Sequence, residues 1–248
     1  MPYTPTPREL QWLRDEKYGG NEPPAFRDDV ERLKKGEPLD YIIGNAPFLG
    51  CTIDLSFHPL IPRAETEYWV ERALKTISSS APVRILDIFA GSGCIGIALA
   101  KHRPNATVDL SELDAGALKQ IKKNILLNRV ENAKAFKSDA FNHITKTYEY
   151  IFANPPYIAP DATDVQPTVK DWEPSIALYA EDGGMALINE TIARGHEHLT
   201  PGGTLYIEHD PRQSKAIATY TKQFPYARVA TLKDQYGRER VTKMVKKT

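Results

Sequence analysis

Two cysteines in 248 residues, Cys51 and Cys94, are too few for a disulfide framework, and they lack metal-ligand spacing. Both have apolar neighbours and are expected to be reduced core residues of a cytosolic, that is cytoplasmic, protein. An excess of one charge is also missing. Thirty-two Lys and Arg offset thirty-two Asp and Glu, so no global field draws the chain to nucleic acid or anionic membrane. No apolar run approaches a bilayer span, and the Pro-rich opening, residues 1–7, has no basic-then-apolar signal pattern. No Gly-Lys-Ser or Gly-Lys-Thr follows a glycine loop, which argues against a nucleoside triphosphate. His196 and His198, two apart on a predicted helix, cannot share a face. They are read, like His58, His102, His143 and His209, as structural or surface residues, and no metal site is expected.

The length suits one large α/β domain with a small appendage. Residues 1–38 are expected to form a short helical appendage, with helices near 8–18 and 25–35. Residues 39–80 are expected to hold a β-hairpin and a connecting helix. The apolar runs 39–44 and 48–55 read as its strands, joined by Asn45-Ala46-Pro47, and Arg63 and Glu65 as the solvated start of the helix. From residue 81 to 248 strand and helix patterns alternate, with strands at 83–88, 106–112, 133–138 and 148–153. This alternation predicts a parallel sheet with helices on both faces, in which ligands bind beyond the carboxyl ends of the strands.

Four segments fall at such ends. Asp87 begins the stretch Phe89-Ala90-Gly91-Ser92-Gly93, whose small residues admit a ligand to a helix N-terminus, or serve tight strand–helix packing. Glu112 ends the second strand, where a carboxylate commonly grips ribose hydroxyls. Asp139, followed by Ala140, ends the third and suits an adenine amino group. Either acid could instead cap a helix. Asn154-Pro155-Pro156-Tyr157 ends the fourth strand, and there the prolines stiffen the chain and remove donors. The Asn154 oxygen and the Pro155 carbonyl are placed to accept both hydrogens of a planar –NH2 group that Tyr157 would cover. As a lone motif the same loop is ordinary turn punctuation. Together the four segments suit S-adenosyl-L-methionine and methylation of nitrogen.

These motifs, with Leu60-Ile61-Pro62-Arg63-Ala64-Glu65-Thr66-Glu67, Trp172-Glu173-Pro174, Asp182-Gly183-Gly184 and Pro201-Gly202-Gly203 followed by Glu208, occur in the order seen in one family. Over residues 38–248 the sequence resembles the protein-(glutamine-N5) methyltransferases, which act on the Gly-Gly-Gln glutamine of class 1 peptide-chain release factors. The resemblance implies an α/β class I methyltransferase, Rossmann-like, with a seven-stranded, mostly parallel sheet whose last strand is antiparallel. It implies cofactor contacts from Asp87, Phe89 through Gly93, Glu112, Asp139, Ala140 and Asn154. Asn154, Pro155, Pro156 and Tyr157 would form the catalytic motif, with a release factor as partner. A connection at 160–179 would cover the site, and the loop around Trp172 would help grip the substrate. Four features depart from the family, one being Ala140, where the family tends to place a larger apolar side chain against the cofactor. Phe89 and Ala90 replace a usual Gly-Thr, Ala64 replaces a proline, and the N-terminal helical region is shorter. A second reading, methylation of an adenine or guanine amino group in RNA or DNA, uses the same loop chemistry but needs a basic groove. Only residues 233–247 are enriched in Lys and Arg.

Overall fold

The computed structural model describes residues 3–248. Helix α1 (Pro7–Trp12) starts from a Thr6 cap that exchanges hydrogen bonds with Glu9, and continues as a π-helical turn, Leu13–Lys17. Helix α2 (Pro24–Lys34) and helix α3 (Leu39–Ile43) follow. Leu13, Phe26, Leu33 and Ile42 close a small cluster of their own.

Residues 39–43 are therefore helical, which corrects the predicted first hairpin strand at 39–44. Pro38 fixes the helix entry and Gly44, at φ 95°, ends it in the left-handed region, while Tyr41 and Ile42 are buried. The hairpin lies one element later, between β1 (Asn45–Phe48) and β2 (Cys51–Asp54). Its turn is Leu49-Gly50, both at positive φ (46° and 74°), the twist a two-residue hairpin loop requires. Asn45-Ala46-Pro47 lies within β1 and is not the turn. Pro47 is tolerated because β1 is an edge strand.

After α4 (Ala64–Leu74) come β3 (Arg84–Ile88), α5 (Cys94–His102), β4 (Thr107–Glu112), α6 (Ala115–Leu127), β5 (Ala133–Lys137) and β6 (Tyr148–Ala153). Next are α7 (Pro167–Trp172), α8 (Ala186–Gly195), β7 (Leu199–Glu208), α9 (Ser214–Tyr220), β8 (Tyr226–Lys233) and β9 (Glu239–Lys246). The seven-stranded sheet runs β5-β4-β3-β6-β7-β9-β8, parallel except that β9 is antiparallel to both neighbours. This is the predicted Rossmann-like class I sheet.

Alternation along the strands sorts the core into two layers. Ile85, Phe152 and Tyr206 pack with α4, α5 and α6 on one face, where the rings of Trp69, Phe152 and Tyr206 stack at 5.1–6.1 Å. Leu86, Ile88, Ile151, Leu205 and Ile207 pack with α8 and α9 on the other. Both cysteines are buried and free. Among the described residues no helix is long and apolar enough to cross a membrane.

Candidate active site

Strand order reverses between β3 and β6, and the parallel register brings their ends together: Ile88 lies opposite Ala153, and Ala153 opposite Ile207. The chain that follows β3, Asn154 after β6, and Glu208 at the end of β7 are thus neighbours. Glu112 and the segment after Lys137 sit at the ends of β4 and β5 on the other side.

Two cavities meet here. One, of about 200 Å³, is lined by Phe89, Gly91, Glu112, Asp139, Ala140, Asn154 and Pro156 among others. The second, of about 270 Å³, is lined by Arg63, Asn154, Pro155, Tyr157, Glu208 and Arg212 among others. Asn154 borders both, and Pro156 and Pro155 face opposite sides of the divide. Asp87, Ala90, Ser92 and Gly93 are buried beneath the first cavity instead of lining it.

The loop after β3 explains its own departures. Phe89 holds φ 60°, a left-handed conformation in which glycine is unstrained and other residues lose about 1–2 kcal/mol. The backbone shape that a glycine would adopt is therefore kept here by a bulkier side chain, which now forms cavity wall. A Cβ on Gly93 would press on Ile97 at 3.1 Å and Ile121 at 3.2 Å, so that glycine serves close packing. Gly91 faces open space, its nearest neighbour being 4.0 Å away, which leaves room for a ligand.

Glu112 does not cap α6. That cap is Asp114, whose carboxylate accepts from Ala117 N–H at 2.7 Å. The Glu112 carboxylate accepts from Gly91 N–H (2.8 Å), Leu113 N–H (2.7 Å) and Asp114 N–H (2.8 Å). It ties the glycine loop to the tip of β4 and keeps a lone pair on Oε2. Asp139 is exposed and caps no helix; its carboxylate accepts from the Asn142 amide at 3.2 Å. Asp87 is 1 % exposed, with Oδ2 accepting from Gly96 N–H at 2.8 Å and Oδ1 without a partner. Burial, and then the negative charge of Glu112, push its carboxyl up to about 7 against the pull of Gly96 N–H.

Several residues take places other than those their sequence context suggests. Arg63 is no solvated helix start: it pairs with Glu173, which is buried and also accepts from Ile61 N–H at 3.1 Å. This pair joins the start of α4 to the 160–179 connection, which supplies Asp164, Gln166 and Val169 to the second cavity and Ile176 to the first. Trp172 lines neither cavity; it packs on the core near Gly36. His58 stacks on Tyr41 at 4.6 Å and edges the first cavity.

A polar ladder on α6 fixes that same wall. Asn128 and Asn124 each exchange two hydrogen bonds with the β2 backbone at Thr52 and Asp54, and Gln120 accepts from Phe57 N–H. Their spacing of four residues puts all three on one helix face. Asn124 also donates to Ser92 O at 3.0 Å, so one buried amide grips both hairpin and glycine loop. The spacing is visible in the sequence, but polar residues at that period read as a solvated face.

The family described as "Methyltransferase small domain" matches residues 71–171. A release factor glutamine methyltransferase of Streptococcus pneumoniae is 36% identical over 221 residues, 87% of this chain and 78% of the relative. The chain belongs to the release factor glutamine methyltransferase family. The Lactococcus lactis member is 34% identical over 94% of this chain and 87% of its own length. Among solved structures, a methyltransferase from Pyrococcus furiosus superposes with a TM-score of 0.60 at 17% identity, covering 80% of this chain and 90% of that one. The ribosomal protein L11 methylase of Lactobacillus delbrueckii gives 0.55 at 16% identity, covering 77% and 82%. These two likenesses show the fold. In this chain the register above explains how the Asn154–Tyr157 motif and the glycine loop meet.

Proposed function

We propose that this chain is a cytoplasmic S-adenosyl-L-methionine-dependent enzyme that methylates the side-chain nitrogen of a glutamine in a peptide-chain release factor. One observation carries the reading: Asn154 forms the common wall of two cavities, so a group held there lies between a cofactor and an acceptor. Family membership supports the choice of glutamine over a base. The catalytic role falls to residues 81–248, with 39–80 closing the cofactor side and the 1–38 appendage flanking it.

The residues present fit the cofactor. Gly91 leaves space before the N-terminus of α5, the Oδ1 of Asp87 lacks a donor, and Glu112 keeps an acceptor site for a ribose hydroxyl. Asp139 and Ala140 border the same cavity and suit the adenine end. Bound S-adenosyl-L-methionine supplies an electrophilic methyl group. An amide nitrogen is a weak nucleophile because its lone pair is delocalised, so orientation must do much of the work. The Asn154 oxygen and the Pro155 carbonyl accept the two amide hydrogens and point the nitrogen across the divide. They also favour the positive charge that develops on it. The nitrogen's proton then leaves to solvent.

Labelled S-adenosyl-L-methionine, offered with release factor, ribosomal protein and RNA in separate reactions, tests the substrate. Label in the release factor, lost when its Gly-Gly-Gln glutamine is replaced, is expected. Label in RNA alone would overturn the assignment and favour the base-methylating reading. A second expected result concerns the α6 ladder. Asn124→Ala frees the glycine loop and leaves backbone groups of Asp54 and Ser92 unpaired, so cofactor affinity should fall about tenfold and stability by about 2 kcal/mol. Calorimetry and urea unfolding check the two effects; unchanged affinity would show that the loop holds its shape without Asn124.

A further inference from the structure

Glu208 is a carboxylate where the fold alone needs none. It ends β7 and is 1 % exposed. Its Oε2 accepts from Thr66 Oγ1 at 2.7 Å and from Trp69 Nε1 at 2.6 Å, both on α4. Its Oε1 accepts from the Tyr157 hydroxyl at 3.3 Å. All three partners are neutral, and no cation bonds to it among the described residues. Burying a carboxylate without a paired cation costs several kcal/mol, whereas a glutamine amide could satisfy much of the same geometry.

The location offers a reason for the charge. The register that sets Ala153 opposite Ile207 makes Glu208 the cross-strand neighbour of Asn154. Glu208 lines the acceptor cavity together with Arg63, Asn154, Pro155 and Tyr157. The Tyr157 carbonyl is also held, by the Gln213 amide at 3.0 Å, so loop and ring are fixed from two sides. A hydroxyl that donates to a buried carboxylate makes its own ring more electron-rich. Such a ring attracts positive charge over its face more strongly. At 3.3 Å the bond is long for an O–H···O pair, as catalytic hydrogen bonds in ligand-free enzymes often are.

We propose that Glu208 is a positioning residue for methyl transfer: held by Thr66 and Trp69, it aligns and polarises Tyr157 so that the ring favours the positive charge growing on the acceptor nitrogen. The inference rests on the acceptor-site reading above and assigns Glu208 a role through Tyr157, not in contact with substrate. It also gives the Thr66 of the Leu60–Glu67 segment a function, since that hydroxyl links the start of α4 to the catalytic loop.

The test is a double-mutant cycle in the full chain, using whichever acceptor takes label in the survey above. Glu208→Gln should lower kcat about 30-fold, with acceptor KM and cofactor affinity moved less than threefold. Tyr157→Phe should lower kcat similarly, and the double variant should be no worse than the poorer single one. Effects that multiply, or a Glu208→Gln enzyme with wild-type kcat, would overturn the proposal. So would a loss confined to KM and cofactor affinity, which marks a purely structural role. If Glu208→Gln fails to fold, Thr66→Val removes one donor at constant volume. It should lower kcat about fivefold in the wild-type background and not in Tyr157→Phe; equal losses in both backgrounds overturn the coupling. A substrate-free readout separates this inference from the substrate assignment. The tyrosine Cζ resonance assigned to Tyr157 in ¹³C-labelled protein should move in Thr66→Val, and an unmoved resonance refutes the link whatever the acceptor is.

Discussion

Replacing Asn154 by Ala is expected to lower kcat about 10³-fold while cofactor affinity and folding stay near wild type. The side chain contributes little to the core, being only partly buried, and the loop around it is held by other means. Pro155 and Pro156 are buried and fix their own φ, and the Tyr157 carbonyl is tied to Gln213. Loss of Asn154 therefore leaves the shape of the loop and removes one of the two acceptors proposed to orient the amide. One preorganised hydrogen bond aimed at developing charge is worth about 10²–10³ in rate, and misorientation of a poor nucleophile adds to that loss. Single-turnover transfer separates the two contributions from binding. Cofactor affinity by calorimetry should change less than threefold, because Gly91, Glu112 and Asp139 are untouched. Near-normal turnover would remove Asn154 from the mechanism, whereas a large loss of cofactor affinity would assign it to the first cavity alone.

The site was legible where it is built from strand ends. Strand alternation and residue type place Asp87, Glu112, Asp139 and Asn154 at the carboxyl ends of parallel strands; Glu112, Asp139 and Asn154 border one cavity, and Asp87 lies buried beneath it. What stayed hidden depends on partners distant in the chain. Arg63 reads as a helix-start charge until Glu173, 110 residues away, is packed against it. Asn124 and Asn128 look solvent-facing until β2 lies along them. The run at 39–44 has β-like residues, yet 39–43 are helical because Pro38 and Gly44 delimit them and the neighbouring helices bury Tyr41 and Ile42. The turn Leu49-Gly50 lacks the Asn or Asp that usually marks a two-residue hairpin loop. Phe89 shows the converse: a non-glycine residue holds φ 60°, so the residue type alone misreports the loop's shape.

Asp87 predicts an unusual pH dependence for the ligand-free protein. The carboxyl is raised from 3.8 to about 7, mainly by burial. Between those values the folded chain holds a proton that the unfolded chain has released. The unfolded state then binds fewer protons, so stability falls as pH rises through the window; the contribution is complete below about pH 4 and gone above about pH 7. A shift of roughly three pKa units corresponds to about 4 kcal/mol as an upper bound. Asp29 and Asp54 act in the opposite sense. Burial would raise them, but their hydrogen bonds, led by Lys17 for Asp29 and Lys123 for Asp54, more than offset it and hold both below the usual range. Their stabilisation is lost only as pH falls toward those low values. Burial lowers His198 and His209, which adds stability as pH rises toward 6.5, and raises Glu208, which acts in the same sense as Asp87; these groups are common to wild type and Asp87→Asn, so the difference between the two isolates Asp87. The unfolding free energy of the wild type, measured by urea, should therefore decline from pH 5 to pH 8 relative to that of Asp87→Asn. Parallel profiles would show that the carboxyl is not strongly perturbed. The same argument connects stability to cofactor binding. S-adenosyl-L-methionine carries positive charge, and held in the cavity above Asp87 it would favour the ionised carboxylate, so near pH 6.5 the wild type should release a proton on binding it. Calorimetry in buffers of different ionisation enthalpy reads that proton directly. Asp87→Asn should release none and bind at least tenfold more weakly, having lost the charge that makes the empty site costly to keep above pH 7.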